Sequence, residues 1–379
     1  MKRIYLDYAA TTPVDPLVVK AMLAFFSEKF GNPSSIHSFG QEAKKAIEDV
    51  REKIAAILGA VPEEIIFTSG GTESNNFALL GVAAALEKKG DHIITSAIEH
   101  HAVLGPCGFL EKKGFKITRL GVDKSGLVSP EEVKAAITDK TILISVMHAN
   151  NEIGTIQPIK EIGRIAKERG VYFHSDAVQT VGHLPISVDD LNVDLLSLSA
   201  HKFYGPKGIG ALYVRKGTHI EKFLHGAGQE RGLRASTHNT SGIVGMGKAL
   251  EISAAKLKKE TILQAKLRDQ MIKQIEKNIP DVFLNGHRTK RLSNNINFSF
   301  KGVEGDTLLV NLDLLGIAAS SGSACSSTSL EPSHVLMACG LSREIAQSAI
   351  RFSLGRWSTA GEVDYLLGQL TRIVKKLRS

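Results

Sequence analysis

Between Glu64 and Val214 short apolar runs alternate with helical patterns. The strand candidates are EIIFTS (64–69), HIITSA (92–97), FKITRL (115–120), TILISVM (141–147), VYFHSD (171–176), DLLSLS (194–199) and GALYV (210–214). All are short, rich in Ile, Val, Leu, Phe and Tyr, and mostly apolar throughout, as strands covered on both faces are. Between them the helical signals are clear. Residues 39–58 place Ala43, Ala46, Ile47, Val50, Ile54 and Ile57 at helical spacing, and Gly59 follows as a stop. Ser129-Pro130-Glu131-Glu132 has the spacing of a capping box with proline at the first helical position. This alternation predicts a three-layer α/β domain with a mainly parallel sheet.

The texture then changes. One long amphipathic helix is predicted from Ile243 to Asn278, long enough to bridge two lobes. After it come a strand (294–300), a helix (304–315), a Ser-rich loop (320–329), helices near 333–339 and 342–350, the strand IRFSL, and a last helix opened by Thr359 and Glu362. The expected division is a large α/β domain over 17–255 and a small α+β domain made of 1–16 plus 256–379, carrying the 320–329 loop.

A chain of 379 residues has room for that arrangement, and 43% hydrophobic with 23% charged residues is ordinary for a globular protein with a sizeable core. The formal charge of +8 is scattered along helices, without a basic block or basic–aromatic interleaving, so no direct nucleic-acid partner is expected. The apolar runs fall short of about 18 residues, so no membrane span is expected. Three cysteines, Cys107, Cys325 and Cys339, do not form a disulfide framework. A reducing interior and a cytoplasmic location follow as expectations.

The candidate chemistry gathers at predicted strand ends. In Ser199-Ala200-His201-Lys202 a lysine follows a strand and leads into a Gly/Pro turn, a setting suited to covalent attachment of pyridoxal phosphate, with Ser199 and His201 in reach of its phosphate. Asp176, at the end of VYFHSD, sits where open α/β sheets bind ligands, and could pair with a pyridine nitrogen; Gln179 could donate to the ring phenolate. Thr68-Ser69-Gly70-Gly71-Thr72 passes from strand through a glycine turn into a helix, offering free N–H groups to an anion. It has neither the Walker nor the dinucleotide spacing, so a small phosphate group fits better than a nucleotide. His100, nearer its strand end than His101, could stack on a cofactor ring or shuttle protons. Each of these residues taken alone has a plainer reading, as surface charge or turn cap. One cofactor accounts for all of them together.

Cys325 lies in Ser320-Ser321-Gly322-Ser323-Ala324-Cys325-Ser326-Ser327-Thr328. Such neighbours cannot build an apolar pocket, so this thiol is predicted on an exposed loop able to reach a ligand. Cys339 in VLMACGL and Cys107 on the helix 102–113 read as core residues.

With these segments in view, the chain resembles the cysteine desulfurases of the NifS/IscS type, fold-type-I pyridoxal-phosphate enzymes related to aminotransferases. The matching segments run from Tyr5 to Arg356: YLDYAATTP, GNPSSIHSFG, FTSGGTESNN, MHANNEIGTIQP, HSDAVQT, SAHKFYGPKGIG, GQERGLR, SSGSACSS, LEPSHVLMACGL and IRFSLGR. The resemblance implies conversion of L-cysteine to L-alanine, with Lys202 holding the cofactor, Cys325 carrying the sulfur as a persulfide and His100 over the ring. It implies Asp176 on the pyridine nitrogen, Gln179 on the phenolic oxygen, and Gly71, Thr72, Ser199 and His201 at the phosphate. Thr237 matches a threonine that reaches the phosphate from the second subunit of a homodimer. Asn32, Asn151 and Arg351 match residues around the substrate, Arg351 forking its carboxylate. The implied acceptor of the sulfur is an iron–sulfur scaffold or another acceptor protein, such as one for tRNA thiolation. This chain has Arg234-Ala235-Ser236-Thr237 where the family commonly has a glycine before the threonine, which adds a Cβ at a turn. Alternatives are a selenocysteine lyase, a related aminotransferase that needs no thiol, and a non-catalytic partner that only docks a scaffold.

Overall fold

The computed structural model describes residues 3–321 and 331–379. The chain opens with β1 (Ile4–Tyr5) and the helices α1 (Pro16–Ser27) and α2 (Ser38–Leu58). The main strands follow: β2 (Ile65–Thr68), β3 (His92–Ser96), β4 (Lys116–Leu120), β5 (Thr141–Ser145), β6 (Tyr172–Asp176), β7 (Leu195–Ser199) and β8 (Gly210–Val214). Helices α3 (Gly71–Leu86), α4 (His101–Lys112), α5 (Pro130–Ala136) and α6 (Ile159–Glu168) connect them. Then come α7 (Thr240–Asn278), β9 (Val282–Leu284), β10 (Asn295–Phe300), α8 (Gly305–Asp313), β11 (Ile317–Ala318), α9 (His334–Ala338), α10 (Arg343–Gln347), β12 (Ala349–Ser353) and α11 (Ala360–Leu377).

The seven predicted strands form one sheet in the order β2-β8-β7-β6-β5-β3-β4, parallel except for β8. β8 runs antiparallel because only residues 200–209 join it to β7, too few for the crossover a parallel neighbour needs. Two features depart from the sequence reading. β4 is an edge strand with Lys116 and Arg119 exposed, the charges that keep an open edge from pairing. At α5 the Ser129 hydroxyl accepts the Glu132 N–H at 3.3 Å, so the N-cap forms, but the return bond from Glu132 that would close the expected box is not made among the described residues. The box at α11 closes in both directions between Thr359 and Glu362.

Apolar side chains fill both faces of the sheet. One core packs α1, α2, α6 and the first half of α7 against it, and another packs α3 and α4 on the opposite face. A separate core joins Leu267, Met271, Ile272 and Ile275 from the far half of α7 to β10, β12, α8 and α11. Ile4 and Leu6 belong to that core too, tied in by the parallel pairing of β1 with β11. From there residues 7–12 run along β12 toward the main sheet: Ala9 N–H donates to Ser353 Oγ at 2.8 Å and Thr12 Oγ1 to the His201 carbonyl at 2.9 Å.

Candidate functional site

The carboxyl ends of β2, β3, β5, β6 and β7 open on the same edge of the sheet, where parallel strands expose unpaired backbone and helix N-termini point outward. A cavity of about 420 Å³ lies there. Of the residues singled out from sequence, Gly71, Thr72, His100, Asn151, Asp176, Gln179, Ser199, His201, Lys202 and Arg351 all line it. Asn32 and Thr237 are exposed and lie outside this chain's own cavity. Cys325 lies outside the described residues.

Lys202 closes a one-turn 3-10 helix directly after β7, and its Nζ donates to the carbonyls of Ala9 (2.6 Å) and Ala10 (2.7 Å). The N-terminal segment thus supplies the wall that holds the ammonium in the cavity. Gln179 Nε2 donates to the same Ala9 carbonyl at 3.0 Å. Asp176, at the tip of β6 and 6% exposed, accepts from Val178 N at 2.9 Å on Oδ1 and from Asn75 Nδ2 at 2.6 Å on Oδ2. Those donors fix the orientation of the carboxylate.

His100 caps α4: its Nδ1 accepts the Ala102 N–H at 3.0 Å, which leaves the hydrogen of a neutral ring on Nε2. Burial pushes His100 down, and Asp176 opposes that only in part. His201 is pushed to about 4 by burial and by the charges of Lys202 and Lys207. Its Nδ1 pairs with Thr11 Oγ1 at 3.1 Å, which leaves a neutral imidazole to hydrogen-bond with its other nitrogen.

Arg351 reaches the cavity from β12. It is 2% exposed; Nη1 donates to the Asn151 carbonyl at 3.0 Å and Nη2 to Asp7 Oδ1 at 2.8 Å, while Nε has no hydrogen-bond partner among the described residues. A buried guanidinium with an unsatisfied N–H is a receptor for a planar anion.

Several lining or supporting groups were not anticipated. Asn75 stands one helical turn after Gly71 on the same face of α3, a spacing that could have pointed to it. Its Oδ1 is buried without a partner among the described residues. Glu99, next to His100 in the chain, is fully buried, and burial pushes it to about 8. Its backbone carbonyl accepts from His334 Nε2 at 2.9 Å, and the His334 and His101 rings meet at 4.9 Å. Ala9, Ala10 and Asp7 come from the far end of the chain, within the segment YLDYAATTP that carries part of the family resemblance, but nothing in that segment pointed to contacts with Lys202 or Arg351.

The groups present fit a phosphate-bearing pyridine ring. A Cβ on Gly71 would stand 2.7 Å from Val178 Cγ2, so backbone lines the floor where a phosphate must approach the start of α3. Ser199 Cβ lies 3.6 Å from that same added atom, and His201, Asp176 and Lys202 line the same cavity, so a hydroxyl, an imidazole, a carboxylate and an amine are at hand for such a group. Together these define the class: an α/β enzyme site built for pyridoxal phosphate.

Comparison with known proteins agrees. Residues 4–366 match the aminotransferase class-V family. The chain is 60% identical over 380 residues to the cysteine desulfurase IscS of Dictyoglomus turgidum, covering 100% of this chain and 96% of that one. It is 57% identical over 378 residues to the cysteine desulfurase IscS of Methanosarcina thermophila, covering 100% and 93%. Among solved structures, a NifS-like protein superposes with a TM-score of 0.93 at 43% identity, over 99% of this chain and 100% of that one. SspA in complex with cysteine superposes at 0.83 and 42% identity, over 94% and 100%. The chain belongs to the class-V aminotransferase family and, within it, to the cysteine desulfurases of the NifS/IscS type.

Proposed function

We propose that this chain is a pyridoxal-phosphate-dependent cysteine desulfurase that transfers the sulfur of L-cysteine to Cys325 and releases L-alanine. The observation that carries this is the meeting of Lys202, Asp176 and Arg351 in one cavity: an amine, a fixed acid and a buried guanidinium. The names of the relatives above, and the cysteine bound in one of the solved neighbours, support the substrate.

When bound, the pyridine ring would supply an electron sink for the pair left as the substrate Cα–H bond breaks. Lys202 Nζ would hold the cofactor, and its amine is the group placed to take the substrate Cα proton. Asp176, oriented by Asn75 and Val178, holds the proton of the pyridine nitrogen. Gln179 donates to the phenolic oxygen, while Thr72, Ser199, His201 and the backbone at Gly71 hold the phosphate. Arg351 would receive the substrate carboxylate, beside Asn151, whereas Asn32, exposed and outside this chain's own cavity, is not placed to join them. His100, with its hydrogen on Nε2, would stand beside the ring and could donate toward the thiol side. The Cys325 thiolate attacks the substrate sulfur, the carbon–sulfur bond breaks, and the carbon skeleton leaves as alanine after protonation.

A second copy of the chain completes the working unit. Leu23, Phe26, Phe30, Ile36 and Phe39 are more than half exposed over one stretch of chain, an apolar surface that a homodimer would cover. Thr237, outside its own cavity, would then serve the partner's phosphate. The persulfide sulfur goes on to an acceptor protein such as an iron–sulfur scaffold.

The test is to assay alanine and sulfide together from L-cysteine with a thiol reductant, beside Lys202→Ala and Cys325→Ser. The reading expects equal alanine and sulfide from the wild type, a bound chromophore and no sulfide from Cys325→Ser, and neither product from Lys202→Ala. Turnover by Cys325→Ser at the wild-type rate, or alanine formed only with an added keto acid, would remove it in favour of an aminotransferase.

A further inference from the structure

The turn from β2 into α3 receives the phosphate on the reading above, and it also carries a carboxylate. Glu73 is the third residue of α3, and its side chain folds back so that Oε2 accepts the Ser69 N–H at 2.8 Å. A full negative charge is thereby held at the same helix end as Gly71 and Thr72. For the bare helix this is favourable, because a first-turn acid complements the macrodipole. For a phosphate arriving at that end it is a like charge and opposes binding.

Arg234 meets this carboxylate with a fork: Nε lies 2.7 Å from Oε1 and Nη2 3.0 Å from Oε2. The two side chains are only 17% and 13% exposed, so solvent screens the pair weakly. Burial pushes Glu73 up, but the bonds from Arg234 and Ser69 outweigh it and hold the carboxyl below its usual range. The fork arrives from 161 residues away, on a segment whose backbone is constrained. Glu230, Arg231 and Ser236 adopt φ of 46°, 57° and 105°, left-handed values that side chains disfavour. A buried fork from Arg51 Nη1 and Nη2 to Glu230 (2.9 and 2.8 Å) anchors the start of that segment. The Phe67 N–H, in β2 beside the same turn, donates to Glu230 at 2.8 Å.

We propose that Arg234 is a positioning residue for the phosphate end of the site, cancelling the Glu73 charge at the α3 N-terminus and keeping that carboxylate turned back onto Ser69. The proposal rests on the pyridoxal-phosphate reading and adds to it the group that makes an acidic helix start compatible with a phosphate.

The test measures equilibrium binding of pyridoxal phosphate, and of pyridoxal without the phosphate, to the full chain stripped of cofactor. Arg234→Ala is expected to weaken pyridoxal phosphate by roughly tenfold or more, on the scale of a lost charge-assisted pair. Pyridoxal should change much less. Adding Glu73→Gln to Arg234→Ala should restore most of the loss, because the uncompensated charge is gone. A double variant as weak as Arg234→Ala, or an equal loss for both ligands, would show that the fork only holds the segment and would overturn the proposal. Wild-type protein that bound neither ligand would remove the cofactor reading itself, and the proposal with it. Arg234→Lys, which keeps the charge without the fork, should fall between wild type and Arg234→Ala.

Discussion

Arg351 offers the sharpest test of how the site holds its substrate. Its guanidinium carries five N–H donors, of which one is committed to Asp7 and one to the Asn151 carbonyl, while Nε is buried without a partner among the described residues. A substrate carboxylate can take Nε and one further N–H as a parallel pair. Replacement by lysine preserves a cation for Asp7 but can present only one donor to the carboxylate. The loss is therefore at least one charge-assisted hydrogen bond, about 1.5–3 kcal/mol, which is roughly 10- to 150-fold in kcat/KM. Because the carboxylate does not change during the reaction, most of the loss should fall on KM. Initial rates of alanine formation against L-cysteine concentration, with cofactor saturating, measure both constants. Arg351→Ala should lose more and also melt lower, since Asp7 then keeps no counter-charge. A lysine variant with kcat/KM within threefold of wild type, or one that loses only kcat at constant KM, would refute this assignment of the carboxylate.

Two further outcomes follow from buried groups. Arg51→Met leaves Glu230 buried without its fork. Burial alone would raise Glu230, but Arg51, His238 and the Phe67 N–H bring it from 4.5 to about 2, a difference of about 3 kcal/mol by linkage. The folded carboxyl is depressed, so this contribution is present above pH 4.5 and is lost as pH falls toward about 2. At about 2.1 cal/mol/K per residue of unfolding entropy, Arg51→Met should lower the melting temperature of the 379-residue chain by roughly 4 °C at pH 7, read by calorimetry, with a smaller gap at pH 3. An unchanged gap between the two pH values would count against the pair. Cys107 and Cys339 are buried, and burial pushes both thiols to about 12. Brief alkylation at pH 8 followed by peptide mass spectrometry should modify Cys325 and spare those two, and Cys107→Ala should keep persulfide formation; prompt labelling of Cys107 would contradict its place in the core.

Much of the architecture was legible because it rests on local rules. The seven strands of the main sheet were marked by apolar runs bounded by turns, and their buried faces follow from the helices that cover them. Most of the cofactor residues were legible for the same reason: a strand's carboxyl end is a position that sequence can locate, and Asp176, Lys202, His100 and Gly71 all occupy one. The pairs β1–β11 and β9–β10 were not foreseen, since two- and three-residue strands are too short to show periodicity and exist only through their partners.

What the sequence determined by itself, then, was where strands end, which of those ends carry reactive groups, and which family pattern those groups compose. Tertiary structure alone decided the rest: that Ala9 and Ala10 would receive the Lys202 amine, that Arg351 would enter from the other sheet with an unpaired N–H, and that Arg234 would land on Glu73. Those contacts join positions more than 150 residues apart. The reason is physical. Hydrophobic periodicity and capping act over a few residues, whereas an ion pair or a cavity wall exists only once burial has brought distant segments together and removed the water that would otherwise separate their charges.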